Sequence, residues 1–232
     1  MISGWESMRG AITATGQAGK AEFLDTVVSR LKRRYRSQMV TTLDHKTPFQ
    51  LLVATILSAQ AQDATVNRYT PALFRDYPAV GDFADARPTD IFPYIRNIGL
   101  FRSKGRNIVK MARMLRQRFH SRVPKSMGEL TMLPGVGRKT ANVVLSNAHG
   151  IHEGIAIDTH CITVSNRLGL VRTRDPVRIE ARLMGMLPSS EWQNVSHLFI
   201  ALGRDVCTAR AKHCDRCVLR DICPSSTARD LR

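Results

Sequence analysis

The chain has 232 residues, with 35 Lys plus Arg against 19 Asp plus Glu, a formal charge of +16. That length suits one large domain or two small ones, and it buries a core without covalent staples. With 43% hydrophobic residues it is no disordered basic tail, and no apolar run reaches the roughly 18 residues of a membrane helix. A cationic surplus of this size repels itself in a compact fold. It points to a polyanionic partner, nucleic acid ahead of an acidic membrane.

The periodicity is helical almost throughout. Met1–Gly19 has neither the apolar core of a secretory signal nor the arginines of a transit peptide, and it is expected as a flexible extension. Phe23, Val27 and Leu31 mark a helix over about 21–37. Thr47-Pro48 supplies an N-cap followed by proline at the first helical position. The next run, Phe49 to Ala59, is apolar on nearly every side and predicts a central buried helix. Asp63 is placed to cap the following helix, and Thr70-Pro71 to start another short one. A long amphipathic helix covers about 101–119, with Ile108, Ala112, Leu115 and Phe119 on its apolar face. Ser126 with Glu129, and Ser190 with Gln193, spell capping boxes. Asp175-Pro176 opens a further helix. Only Gly154 to Asp158 hints at a strand. The expected class is all-α, with ten or more short helices.

Two stretches concentrate the charge. Arg102 to Arg122 holds eight cations and no acid. Arg102, Arg106, Lys110, Arg113 and Arg116 share one helical face, which suits phosphates; the plain alternative is a solvated surface. Arg30 to Arg36 holds five cations and reads as solvated surface.

Leu133-Pro134-Gly135-Val136-Gly137-Arg138-Lys139-Thr140 lies between a short helix capped at Ser126 and a second running from about Arg138 to Asn147. Glycines 135 and 137 permit unusual backbone angles and let turn amides approach an anion. The helix start beyond them adds a positive end. Together these make a phosphate cradle, against the alternative of a plain interhelical turn. Lys139 falls in the first turn of the second helix. The helix dipole and neighbouring Arg138 both disfavour its charged form, as an amine nucleophile requires. Nineteen residues on, Asp158 precedes a helical pattern, so it reads as an N-cap. A carboxylate held there is also rigid and aimed outward, which suits stabilising positive charge on a nearby sugar.

Four of the five cysteines, Cys207, Cys214, Cys217 and Cys223, fall within 17 residues as Cys-x6-Cys-x2-Cys-x5-Cys. Four thiolates bind either zinc or an iron–sulfur cluster. A zinc ribbon normally shows two Cys-x-x-Cys knuckles and here there is one, so the uneven spacing and Cys223-Pro224 suit a cubane. Cys161 stands outside the quartet.

Gly135-Val136-Gly137-Arg138-Lys139-Thr140 followed by Ile157-Asp158-Thr159-His160 resembles the helix–hairpin–helix DNA glycosylases, most closely their endonuclease III family. The resemblance runs from about Phe49 to Cys223. It includes Leu57-Ser58-Ala59-Gln60-Ala61, Asn97-Ile98-Gly99-Leu100, Ala141-Asn142-Val143-Val144-Leu145 and Asn166-Arg167-Leu168, and the cysteine spacing matches gap for gap. It implies a two-lobed all-α fold. A six-helix barrel with the hairpin would occupy 41–152, and a helical iron–sulfur lobe 20–40 with 153–232. It implies Lys139 as nucleophile, Asp158 as its acidic partner, and a [4Fe–4S] cluster on the four cysteines.

Gln60, Leu100 and His160 match positions near the gap left in duplex DNA when a base is flipped out. Gly135, Val136 and Gly137 match the phosphate-binding hairpin. Arg102 follows the Leu100 loop, and Arg210 and Lys212 lie in the basic loop enclosed by the cysteines; all three are expected at DNA. Gln62, Cys161 and Thr163 depart from the family pattern.

The activity implied is a bifunctional DNA glycosylase and abasic-site lyase of base excision repair, acting on oxidised pyrimidines in duplex DNA and cutting 3′ to the abasic site by β-elimination. A monomer working in the cytoplasm, nucleoid-associated if prokaryotic, is expected. The rivals are a mismatch glycosylase that uses water, a non-catalytic helix–hairpin–helix DNA-binding protein, and an RNA-binding zinc protein.

Overall fold

The computed structural model describes residues 16–36 and 41–228. Residues 1–15, most of the expected extension, lie outside that range. Every regular element among the described residues is helical, and the chain divides into two compact units.

One unit is Thr41–Glu153. It holds, in the numbering used below, α2 (Pro48–Ser58), α3 (Asp63–Asp76), α4 (Val80–Asp85), α5 (Pro88–Ile95), α6 (Phe101–Phe119), α7 (Met127–Met132) and α8 (Arg138–His149). The other joins α1 (Gln17–Tyr35) to α9 (Thr159–Arg167), α10 (Pro176–Met184) and α11 (Trp192–Asp205), followed by the cysteine-rich segment.

In the first unit α2 is the axis. Every residue from Phe49 to Leu57 is buried, because helices pack around it and no face is left for solvent. Thr47 caps it as expected, Oγ1 accepting from Gln50 N at 3.1 Å, with Pro48 at the first position. α6 covers 101–119 as predicted and buries Ile108, Met111, Ala112 and Leu115. Gly150, at φ +65°, ends α8.

Some local expectations fail for physical reasons. Thr70-Pro71 starts no helix: Pro71 lies inside α3. The buried stripe Val66, Thr70, Leu73 runs across the proline, and its packing outweighs the lost amide bond. Asp63 is the first residue of α3, and Gln62 occupies the cap. Ser190 caps nothing. It sits in a 3₁₀ turn, Ser189–Glu191, entered from Pro188 and running directly into α11. Gly154 to Asp158 forms no strand. Its backbone is satisfied by side chains, Glu180 Oε1 accepting from Ile155 N and Ser196 Oγ donating to Ala156 O. α1 begins at Gln17, so residues 17–19 are its first turn and not part of a flexible extension.

Three of the five cations in the run Arg30 to Arg36 are committed within their own unit. Arg30 pairs with Asp221 at 2.6 Å, Lys32 with Glu191 at 2.6 Å and Arg34 with Asp205 at 3.5 Å. The reading of a solvated surface therefore holds only in part: Arg33 and Arg36 are exposed, whereas the three pairs tie α1 to the C-terminal part of the chain. Burial and the Asp205 carboxylate hold the Tyr35 phenol well above its ordinary range.

Candidate nucleic-acid and metal-binding residues

Lys139 is the second residue of α8 and is exposed. The turn before it is built by sequence. Gly135 has φ +83° and Val136 N bonds Leu133 O at 3.0 Å, so Pro134-Gly135 occupies the central pair of a type II turn. Gly135 also fits closely against α6. A Cβ there would stand 3.1 Å from Asn107 Cβ, so the hairpin rests on that side chain. Gly137 differs from expectation. Its φ of −94° suits any residue, and a Cβ would meet nothing. Its contribution is to leave the start of α8 without a side-chain cap. Amides of a first turn have no intrahelical acceptor, which is the requirement for holding an anion. Val136 is buried beneath the turn and anchors it.

Gln60 and Leu100 are both exposed and both left-handed, at φ +56° and +61°. Non-glycine residues adopt that region at a cost. Ala59 (φ −56°, ψ 116°) and Gln60 form a type II turn closed by Ala61 N to Ser58 O at 2.9 Å. Glycine would normally take the place of Gln60. Leu100 is the N-cap of α6 and is 62% exposed, an unusual setting for a leucine. Asn97 in the same loop donates to Tyr69 Oη at 2.9 Å, which braces the loop on α3. Arg102 is exposed, with its guanidinium 4.7 Å from the centre of the Phe101 ring. That stacking restrains the side chain while leaving its charge outside.

The basic face of α6 is shorter than its sequence suggests. Arg113 donates to Ala84 O at 2.9 Å and Ala86 O at 3.0 Å, and Arg116 pairs with Asp85 at 2.6 Å. Both serve the C-terminal end of α4, where cations satisfy terminal carbonyls. Lys104 is buried. Arg102, Arg106 and Lys110 stay exposed.

Asp158 belongs to the other unit. It caps α9, Oδ1 accepting from Cys161 N at 2.8 Å, as its sequence context predicts. His160 is half-buried in the first turn of α9 and packs against Gly203 of α11, where a Cβ would come within 2.8 Å. The three departures are also placed. Thr163 Oγ1 bonds Thr159 O, Gln62 is the N-cap of α3, and Cys161 is buried with its thiol near Ala156 O and Ser196 O.

Cys207, Cys214, Cys217 and Cys223 line one cavity. Its wall includes apolar Val164, Leu168, Leu202, Val206 and Leu219, polar His213, Ser225 and Ser226, and cations at Arg167, Lys212 and Arg220, with no acid. Among the described residues no three His, Cys, Asp or Glu side chains converge as a single ion requires; the four thiols stand around a space. Sulfur donors, a wall rich in apolar side chains and cations without an acid fit an anionic iron–sulfur cubane held by four thiolates. Burial pushes the Cys217 thiol up to about 11, so a bound metal must displace its proton.

In the sequence Arg167 is legible only as part of the Asn166-Arg167-Leu168 motif. Its guanidinium donates to Thr208 O at 2.7 Å and Ala209 O at 3.3 Å, and lies 3.2 Å from Cys207 Sγ. It thereby holds the start of the basic loop in which Arg210 and Lys212 are exposed. Lys212 donates to Ser225 O at 2.9 Å, closing the loop onto the last cysteine turn.

A family model described as the HhH-GPD superfamily base excision DNA repair protein matches residues 53–189. Endonuclease III of Synechocystis sp. is 45% identical, spanning 91% of this chain and 96% of that protein. Endonuclease III of Escherichia coli K12 is 37% identical over 88% and 95%. The structure of a trapped endonuclease III–DNA covalent intermediate superposes with a TM-score of 0.83 at 39% identity, covering 88% of this chain and 96% of that one. A thermostable thymine-DNA glycosylase, 19% identical, shares the fold at a TM-score of 0.77. With a family model over more than half of the chain, relatives 37% and 45% identical over most of both lengths and a matching backbone, the chain belongs to the endonuclease III family of HhH-GPD base-excision-repair proteins, DNA glycosylases with abasic-site lyase activity.

Proposed function

We propose that this chain removes oxidised pyrimidines from duplex DNA and then cuts the strand 3′ to the resulting abasic site, with Lys139 as nucleophile and Asp158 as its acidic partner. The observation that carries this reading is Lys139, an exposed amine in the first turn of a helix that begins without a side-chain cap. A base stacked in a duplex shields the reacting carbon, so the nucleotide must be flipped out first. The Lys139 amine then bonds to the sugar C1′, and the base leaves with the electron pair of the broken C1′–N bond. Asp158 accepts the proton that the attacking amine sheds and offsets positive charge on the sugar. The nitrogen lone pair then opens the sugar ring, the C1′–O4′ bond breaking and O4′ taking a proton; the protonated Schiff base so formed acidifies C2′, and loss of that proton breaks the C3′–O bond and expels the 3′ phosphate oxygen.

Gly135, Val136 and Gly137 present backbone amides to a phosphate. Gln60, Leu100 and His160 approach the gap left by the flipped nucleotide. Arg102, Arg210 and Lys212 contact phosphates. We assign a [4Fe–4S] cluster to Cys207, Cys214, Cys217 and Cys223. When bound it supplies four iron–thiolate bonds that fix the shape of the segment from Cys207 to Cys223. Arg167 and Lys212 hold the loop inside that segment by the bonds described above. The protein acts as a monomer.

The test is incubation with duplexes bearing one defined lesion each, scoring base release and strand scission separately, together with borohydride trapping on abasic-site DNA. Trapping is expected for the parent and absent in Lys139→Gln. Persistent trapping in that variant would overturn the assignment.

A further inference from the structure

Lys104 is 5% exposed, although it sits in the first turn of a helix whose Arg102, Arg106 and Lys110 face solvent. A lysine there opposes the dipole of its own helix, and burial pushes its pKa down. Neither cost has a local return, so the reason for a cation at this position must be tertiary.

The reason lies at the end of α2. An α-helix leaves its last four carbonyls without intrahelical donors. Three of those of α2 are met nearby: Thr55 O by Ser58 Oγ at 3.0 Å, Ile56 O by Ala59 N at 3.4 Å and Ser58 O by Ala61 N at 2.9 Å. The fourth, Leu57 O, is buried and accepts from Lys104 Nζ at 2.8 Å. The cation therefore meets the negative end of α2 at its one carbonyl that lacks a local donor. Lys104 also sits in the turn that the second loop opens, where its amide makes the first helical bond of α6, to the N-cap carbonyl Leu100 O at 3.0 Å. Its neighbour Gly105 seats this turn against Phe92 of α5, where a Cβ would come within 2.9 Å of the ring.

We propose that Lys104 is a positioning residue that holds the Gln60 turn and the Leu100 loop at a fixed separation, so that both left-handed residues enter the gap in the duplex together. One residue bonds directly to both loops. On one side Nζ grips the carbonyl that precedes the Ser58–Ala61 turn; on the other, the backbone amide grips Leu100 itself. Without the strut each loop keeps its local hydrogen bonds but loses its register with the other. This inference rests on the proposed placement of Gln60 and Leu100 at that gap.

The experiment uses the full chain and a duplex carrying a tetrahydrofuran abasic analogue opposite 2-aminopurine, whose fluorescence rises when the orphaned base loses its stacking. Lys104→Met keeps the apolar stem and removes the donor. It is expected to bind the abasic duplex at least tenfold more weakly, to lose most of the fluorescence rise, and to bind undamaged duplex within twofold of the parent. Lys104→Arg, which still reaches Leu57 O, should restore at least half of the rise. If Lys104→Met does not fold, Lys104→Gln carries the same comparison. A parent-like ratio of abasic to undamaged affinity in the variant would overturn the proposal. So would an equal loss on both duplexes, which means general damage to the fold. Gln60→Ala and Leu100→Ala run alongside. If neither lowers the fluorescence rise, the placement of those two residues is wrong; if both do and Lys104→Met does not, the strut alone is wrong.

Discussion

The division of the α6 cations makes a quantitative forecast. Arg102, Arg106 and Lys110 follow one another at intervals of four along a stripe about 12 Å long, at 1.5 Å per residue, and all three are exposed. Each that touches a phosphate releases counterions and adds about 0.9 to the slope of log affinity against log salt. One lost contact therefore makes the fall in affinity between 50 and 200 mM salt about 3.5-fold shallower, and three lost contacts about 40-fold shallower. Arg102 should have the largest single effect, because it lies two residues beyond Leu100. Arg113 should leave the slope unchanged, since its guanidinium is committed to Ala84 O and Ala86 O. Its loss should appear instead as about 1.5–3 kcal/mol of stability, the value of hydrogen bonds to charged groups. The assay is fluorescence anisotropy on abasic-analogue DNA at five salt concentrations for each alanine variant, paired with a thermal melt. An Arg113→Ala slope reduced as far as that of Arg102→Ala, or an Arg102→Ala slope equal to the parent's, would refute the division.

Asp158→Asn should retain the α9 cap, because asparagine caps as well as aspartate. Its melting temperature should stay near the parent's while base release slows much more than binding; collapse of binding would mark Asp158 as a structural cap only. Purified protein should contain about four irons per chain, and Cys214→Ser should lose them while Cys161→Ser keeps them, as read by iron analysis and visible absorbance. Gly203→Ala places a Cβ 2.8 Å from His160 Cβ, so α9 and α11 must separate. A loss of about 1–3 kcal/mol is expected, and an unchanged denaturation midpoint would contradict that packing.

What the sequence made legible follows from where each instruction is stored. The start of α2 is local: Thr47 and Pro48 suffice, and the apolar run after them has no other place to go. The Pro134-Gly135 turn is local too, because only a residue tolerant of φ +83° fits its third position. The α3 proline misleads because the counterweight, burial of Val66, Thr70 and Leu73, lies in other helices. Ser190 misleads because Pro188 sets up a 3₁₀ turn that overrides the capping pattern. A helical wheel puts Arg113, Arg116 and Arg102 on one face but cannot show that α4 ends beside the first two. Lys104 is hidden more deeply still, a buried donor inside a run of surface cations. The residues proposed to carry chemistry stand out in the sequence more than their supports do. Lys139, Asp158 and the cysteines announce themselves by type and spacing, whereas Asn107, Arg167 and Lys104 are ordinary residues whose importance comes from what they touch.

The burial of α2 also sets a gradient in local opening. From Phe49 to Leu57 the helix has no solvent-facing side, so its hydrogen-bonded amides exchange with solvent only when the Thr41–Glu153 unit unfolds as a whole. Three residues past Leu57, Gln60 sits exposed in a strained turn held by a single backbone hydrogen bond. The most and least protected amides of the unit should thus lie within one turn of chain. Such an arrangement confines local opening to the tip beyond the carbonyl that Lys104 holds, so that scanning a duplex need not loosen the core on which the hairpin rests.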